Sequence, residues 1–243
     1  VLVSTFIVFL NSVEPTGSLW DCGEFILGAY KLQVVHPPGA GLFLIIGRIF
    51  AWLATVVSDN PADIAYAVNV MSALSTAVAA MFMTWITIMF GKLALIGRTN
   101  EPTLSDNIAL SLAGLVAGLA TAFSVSVWFS AVEGEVYAMS TMFTTLTLWA
   151  ATKFYFIEED EIADRWLILS FFACGLSVGV HLLSMLTLPA IALLIYYKKY
   201  KNHNLKGAFI AMLLGVIGIV FIMKFIIVGI PTLWSLFELF CVN

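Results

Sequence analysis

Six stretches of this chain are long and apolar enough, or nearly so, to cross a hydrocarbon layer: 63–91, 107–127, 136–157, 164–181, 184–198 and 207–229. A span needs about 20 mostly apolar residues. The shortest stretch, 184–198, contains Pro189. Residues 1–13 read as the last turns of one more span. The chain opens on Val1 inside an apolar run, with no Met and no basic leader, so a signal peptide is not expected there. A piece of a longer protein is expected instead, with a single transmembrane domain over 1–243. Composition agrees. Hydrophobic residues make up 61% and charged residues 11%, against about a quarter charged in a soluble domain. Mean hydropathy is +1.02. The sequence shows no basic patch for nucleic acid and no phosphate-cradling glycine loop. Cys22, Cys174 and Cys241 have neither zinc spacing nor a disulfide framework. The expected fold class is an all-α, polytopic helical bundle in a membrane.

Basic residues orient the bundle. Lys198, Lys199, Lys201 and Lys206 crowd one loop, Lys153 and Arg165 flank a second, and Lys92 and Arg98 mark a third. These loops hold eight of the eleven basic residues and are placed in the cytoplasm. Parity then starts 63–91 on the outer side. If the first helix runs outward, 14–62 begins and ends outside. The apolar stretch 39–57 is therefore expected to lie along the membrane or dip into it. Gly114 with Gly118, and Gly175 with Gly179, have the spacing of close helix contacts.

Ionisable groups at membrane depth or at its edge are costly, so they are candidates for function. On the outer side they form groups. In Ser18-Leu19-Trp20-Asp21-Cys22-Gly23-Glu24-Phe25, Asp21 and Glu24 stand three apart and share a helical face. They suit a division of labour between proton acceptor and orienting acid. Equally, Ser18 with Asp21 fits a helix capping box. In Val35-His36-Pro37-Pro38-Gly39, His36 sits at the membrane surface, where it meets a phosphate or a hydroxyl, or is an ordinary interfacial histidine. In Trp128 to Tyr137, Glu133 and Tyr137 share a face and Glu135 points elsewhere, unless Gly134 breaks the helix. Acids in a first turn also simply favour the helix dipole. His181 adds polarity at the outer end of 164–181, or bonds a neighbouring helix. Arg48 and Lys224 either neutralise a lipid phosphate or snorkel to headgroups.

The string Ser18 to Ile26, followed by Ala29-Tyr30-Lys31-Leu32-Gln33-Val34-Val35-His36-Pro37-Pro38-Gly39, resembles glycosyltransferase family 117. These polytopic membrane proteins were formerly grouped as a domain of unknown function and include protein O-mannosyltransferase-like members. Glu133-Gly134-Glu135-Val136-Tyr137-Ala138 resembles the family's second acidic motif, and the segment around His181 a third. The resemblance covers about residues 14 to 200.

The resemblance implies a GT-C-like bundle whose first outer loop carries the catalytic carboxylate and juxtamembrane helices. By that analogy Asp21 and Glu24 are catalytic, with Asp21 the general base. His36, Glu133, Glu135, Tyr137, His181 and Arg48 bind substrate. The implied reaction inverts the sugar. A polyprenyl-phosphate carrier donates it on the non-cytoplasmic face, and a hydroxyl accepts it, on protein Ser/Thr or on a glycan. Neither a metal nor a cofactor is expected, because a monophosphate leaving group does not demand one. Membrane lipids are the surrounding partner, and a bacterial inner membrane is favoured over the endoplasmic reticulum. Two rivals stand beside this reading: a proton- or ion-coupled transporter and a non-catalytic membrane scaffold.

Overall fold

The computed structural model describes residues 1–242 and is all-helical, with no strand among the described residues. Four helical segments are long and apolar enough to cross a membrane: Pro61–Leu95, Leu104–Ala122, Leu182–Lys199 and Leu205–Val242. The chain forms two compact units, Val1–Ser184 and the remainder from Met185.

In the first unit the helices are α1 (Leu2–Leu10), α2 (Cys22–Lys31), α3 (Gly41–Thr55), α4 (Pro61–Leu95), α5 (Leu104–Ala122), α6 (Val125–Val132), α7 (Val136–Phe156) and α8 (Asp160–Ser177). The mast of the unit is α4, against which α1, α2, α3, α5, α6 and α7 all pack. Local chemistry defines its start. Pro61 occupies the first helical position, and the Asn60 side chain accepts from the Ala62 N–H at 3.1 Å. At 35 residues it is about 52 Å long, well beyond the roughly 30 Å of a hydrocarbon core. Thr103 and Asp106 close a reciprocal capping box at the start of α5.

Small residues let α4 and α5 approach closely. A Cβ on Gly114 would lie 2.9 Å from the Thr84 carbonyl oxygen, and one on Gly118 would lie 2.9 Å from that of Ala80. The other glycine pair behaves differently. Gly175 faces open space, whereas Gly179 lies against Leu42 at the head of α3. The Gly179 carbonyl accepts the Leu42 N–H at 2.7 Å and the Phe43 N–H at 3.3 Å. It thereby satisfies amides that α3, lacking a side-chain cap, leaves open.

Two stretches expected to span, 136–157 and 164–181, correspond to α7 and α8, which are not among the four segments both long and apolar enough to cross. Threonines make α7 less apolar. Thr141, Thr144, Thr145 and Thr152 each donate to the carbonyl four residues back, which hides their hydroxyls within the helix. The stretch 39–57 forms the 15-residue α3, shorter than a full span.

In the second unit a 3₁₀ turn (Leu182–Thr187, begun in the first unit) leads into α9 (Leu188–Lys199), which lies antiparallel to α10 (Leu205–Phe221). Gly207 meets the Tyr196 ring and Gly215 meets the Pro189 backbone. The expected span 207–229 runs on, through a π-helical stretch Ile222–Gly229 into α11 (Ile230–Val242).

Candidate functional site

The first outer loop is anchored by one buried amide. Asn69, fully buried in the third turn of α4, donates from Nδ2 to the carbonyls of Glu14 at 2.8 Å and Thr16 at 2.9 Å. Its Oδ1 faces the Cys22 thiol at 3.8 Å, and the Glu14 N–H donates to the Val132 carbonyl at 3.0 Å. From this anchor the chain turns through Trp20, which has a left-handed φ of 60° and a side chain 92% exposed. Asp21 follows as the residue that opens α2, but its side chain makes no cap hydrogen bond. Ser18 makes no capping box either, because its hydroxyl donates to Glu133 Oε2 at 2.6 Å. The capping alternative for Ser18 and Asp21 is therefore not what forms, and the Asp21 carboxylate is left exposed to the cleft.

Glu24, in the first turn of α2, grips His36 twice. Its Oε1 accepts the His36 backbone N–H at 2.7 Å, and its Oε2 lies 2.9 Å from Nδ1. The far ring nitrogen, Nε2, is 4.0 Å from Asp21 Oδ2. His36 is thus no isolated interfacial histidine, since both acids of the first motif converge on it. The return path is set by Leu32 (φ 51°), which ends α2, and by Gly39 (φ 75°), which turns the chain after a cis Pro37–Pro38 bond. The Glu24 hydrogen bond raises the His36 pKa above its ordinary value and holds that of Glu24 below the usual carboxylate range.

The second motif breaks the helix. α6 ends at Val132, Glu133 and Glu135 are extended, and α7 starts at Val136. Gly134 is required by close approach: a Cβ there would lie 2.9 Å from Asn69 Oδ1 and 3.1 Å from Ile26 Cγ1. With the helix broken, both glutamates reach one cleft. It has a volume of about 310 Å³ and is lined by Trp20, Asp21, Phe129, Ser130, Glu133, Glu135 and Tyr137. Asp21, Glu135 and Tyr137 also line an adjoining cleft of about 80 Å³ with His36 and His181. The Tyr137 and His181 rings lie 5.3 Å apart.

Glu135 is the most perturbed acid of the site. It is 8% exposed, and its Oε1 has no hydrogen-bond partner. Burial, with the neighbouring negative charges of Asp21 and Glu133, pushes its pKa up from 4.5 to about 7. The expected site residues Asp21, Glu24, His36, Glu133, Glu135, Tyr137 and His181 are therefore brought together. Arg48 is not. Its Nη1 donates to the Tyr30 carbonyl at the end of α2, its guanidinium lies over the Tyr30 ring at 5.5 Å, and it lines a separate cleft with Lys31 and Leu32. Asp21, Glu24 and His36 offer three donor atoms within 4.8 Å of one another, the group of described residues able to hold a metal ion.

Sequence reasoning passed over Asn69 and placed no weight on Trp20, Phe129 or Ser130. Asn69 was detectable as a lone amide inside an otherwise apolar or small-residue run. The aromatic residues carry no pattern that separates them from lipid-facing neighbours.

Comparison with known proteins covers the same region. Residues 21–204 match the family described as the protein O-mannosyl-transferase TMEM260 N-terminal domain. The chain is 24% identical over 199 residues to protein O-mannosyl-transferase tmem260 of Dictyostelium discoideum, covering 78% of this chain and 22% of that protein. It is 25% identical over 178 residues to protein O-mannosyl-transferase TMEM260 of Mus musculus, covering 73% and 22%. The match thus spans about a fifth of either relative's length. Both organisms are eukaryotes, so these relatives lend the favoured bacterial inner membrane no support. No solved structure gives a significant match. The chain belongs to the family of the protein O-mannosyl-transferase TMEM260 N-terminal domain.

Proposed function

We propose that this chain carries the reaction centre of a GT-C-type, inverting protein O-mannosyltransferase of glycosyltransferase family 117. It moves a sugar from a polyprenyl-phosphate carrier to a Ser or Thr hydroxyl on the non-cytoplasmic face. The observation that carries the reading is the position of Asp21. Its exposed carboxylate, free of any capping bond, lines both clefts, beside the Glu24–His36 pair and the two glutamates of the second motif.

Each group then has a role set by its surroundings. The acceptor hydroxyl oxygen attacks the anomeric carbon while Asp21 takes its proton. The bond from that carbon to the phosphate oxygen breaks, and its electron pair leaves with the lipid phosphate. Protonated His36, oriented by Glu24, stabilises the charge that develops on the phosphate. Glu135 holds its proton up to about pH 7 and in that form donates a hydrogen bond to a sugar hydroxyl, whereas Glu133, held by Ser18, accepts one. Tyr137 and His181 close the far wall. A proton or ion relay of a transporter expects carboxylates at mid-membrane depth. Here they sit in loops and first turns, which favours transfer.

The test uses the full-length protein in membranes, with radiolabelled polyprenyl-phosphate mannose and a Ser/Thr peptide. Asp21→Asn keeps the shape and removes the base. Transfer is expected to fall by roughly 10²–10⁴-fold. Equal transfer by both proteins at equal expression refutes the assignment of Asp21. Absence of transfer by the wild type across several sugar donors refutes the transferase reading itself.

A further inference from the structure

A second polar cluster lies at the other end of α7, away from the carboxylates. Lys153 stands in the last turn of that helix, 18 residues on from Glu135. At 1.5 Å per residue the two ends are about 27 Å apart, close to the thickness of a hydrocarbon core. Lys92, in the last turn of α4, and Arg98, in the loop that follows, line the same cleft as Lys153, with a volume of about 300 Å³. No carboxylate among the described residues lines it, and none of the three cations forms an ion pair among them.

Arg98 and Lys153 are held against aromatic rings. All three are half-buried. The Arg98 guanidinium lies over the Tyr155 ring at 5.2 Å and donates from Nη2 to the Ile157 carbonyl at 3.4 Å, while its buried Nε–H has no acceptor. Lys153 lies 5.8 Å from the centre of the Trp149 ring. Like charges gathered around one cavity repel each other unless an anion joins them. The rest of the wall decides which anion. Ile88, Met89, Leu110 and Phe156 make it apolar, which suits a phosphate that carries glycerol and acyl carbons better than a hydrated free ion.

We propose that this cleft is a binding site for an anionic phospholipid, its phosphate held by Lys92, Arg98 and Lys153 and its first acyl carbons on the apolar wall. The site stands apart from the carboxylate clefts and does not depend on the transferase reading. A basic pocket between helices at the membrane–water boundary is a recurrent way to hold a lipid headgroup.

Native mass spectrometry of the detergent-extracted full-length protein tests this, with dioleoyl phosphatidic acid and dioleoyl phosphatidylcholine as probes and glycerol 3-phosphate as competitor. Phosphatidic acid is expected to be retained, and phosphatidylcholine to bind roughly tenfold more weakly or less. Each juxtamembrane charge is worth roughly fivefold in partitioning, so Lys92→Gln, Arg98→Gln and Lys153→Gln together lower retention roughly a hundredfold. A control that removes three exposed cations elsewhere (Arg165, Lys201 and Lys206 to Gln) stays within about threefold of the wild type, because diffuse attraction is weak in detergent. Lys153→Gln alone, expected to lose about fivefold, serves if the triple variant is not monodisperse. Equal loss in the control, or no loss in the cleft variants, overturns the site. Displacement of the lipid by equimolar glycerol 3-phosphate overturns the lipid and assigns the cleft to a soluble phosphate.

Discussion

Glu135 makes the site's electrostatics measurable without any substrate. Its pKa rises from 4.5 to about 7 on folding, because burial and the charges of Asp21 and Glu133 oppose ionisation. A shift of that size is worth about 3 kcal/mol. The sign follows from linkage: the folded state holds the proton more tightly than the unfolded chain. Below the unfolded value both states are protonated, and the full stability is present. As pH rises from about 4.5 to about 7 the unfolded chain ionises and the folded one does not, so stability falls. Above about 7 the folded protein carries a buried carboxylate, and the loss is complete. Glu135→Gln keeps the shape and stays neutral throughout. It is expected to match the wild type near pH 4.5 and to exceed it by about 3 kcal/mol at pH 8, an upward Tm shift of several degrees. Tryptophan fluorescence during thermal unfolding of the detergent-extracted protein, at half-unit steps from pH 4.5 to 8.5, gives the difference curve. A difference between the two proteins that does not vary with pH refutes the reasoning, since a packing effect carries no proton.

Asn69→Ala frees the Glu14 and Thr16 carbonyls and is expected to cost about 1–3 kcal/mol. Proteolysis within 14–21 should accelerate before the core unfolds, and unchanged cleavage of that loop contradicts its anchoring role. Glu24→Gln removes the carboxylate whose charged hydrogen bond raises the His36 pKa. In the wild type the pair is charged between the lowered Glu24 value and the raised His36 value; its contribution is lost as pH falls through the first or rises through the second. The alkaline limb of transferase activity should therefore move to lower pH in Glu24→Gln, and a histidine NMR titration should show the same displacement. An unmoved limb together with an unmoved titration removes His36 from the proposed charge stabilisation.

The membrane class was legible because it depends on composition and on the length of apolar runs, which survive any arrangement in space. The same holds for the Gly114–Gly118 contact, where two missing side chains bring α5 against the α4 backbone. The acidic residues could be named from their motifs but not placed. The face shared by Asp21 and Glu24 acquires meaning only because the chain returns after Leu32 and sets His36 between them. Helical periodicity placed Glu133 and Glu135 on different faces; the chain instead leaves the helix after Val132, passes Gly134 close against Asn69, and brings both to one cleft. Arg48 drew notice as a phosphate ligand or a snorkelling cation because a charge in an apolar stretch is conspicuous; its bond to the open carbonyl end of α2 is visible only in the fold. Sequence by itself determined which segments leave water and which residues are chemically capable. Tertiary structure decided which of them meet and which carboxyl group holds its proton, because both depend on side-chain distances and on burial that no linear spacing encodes.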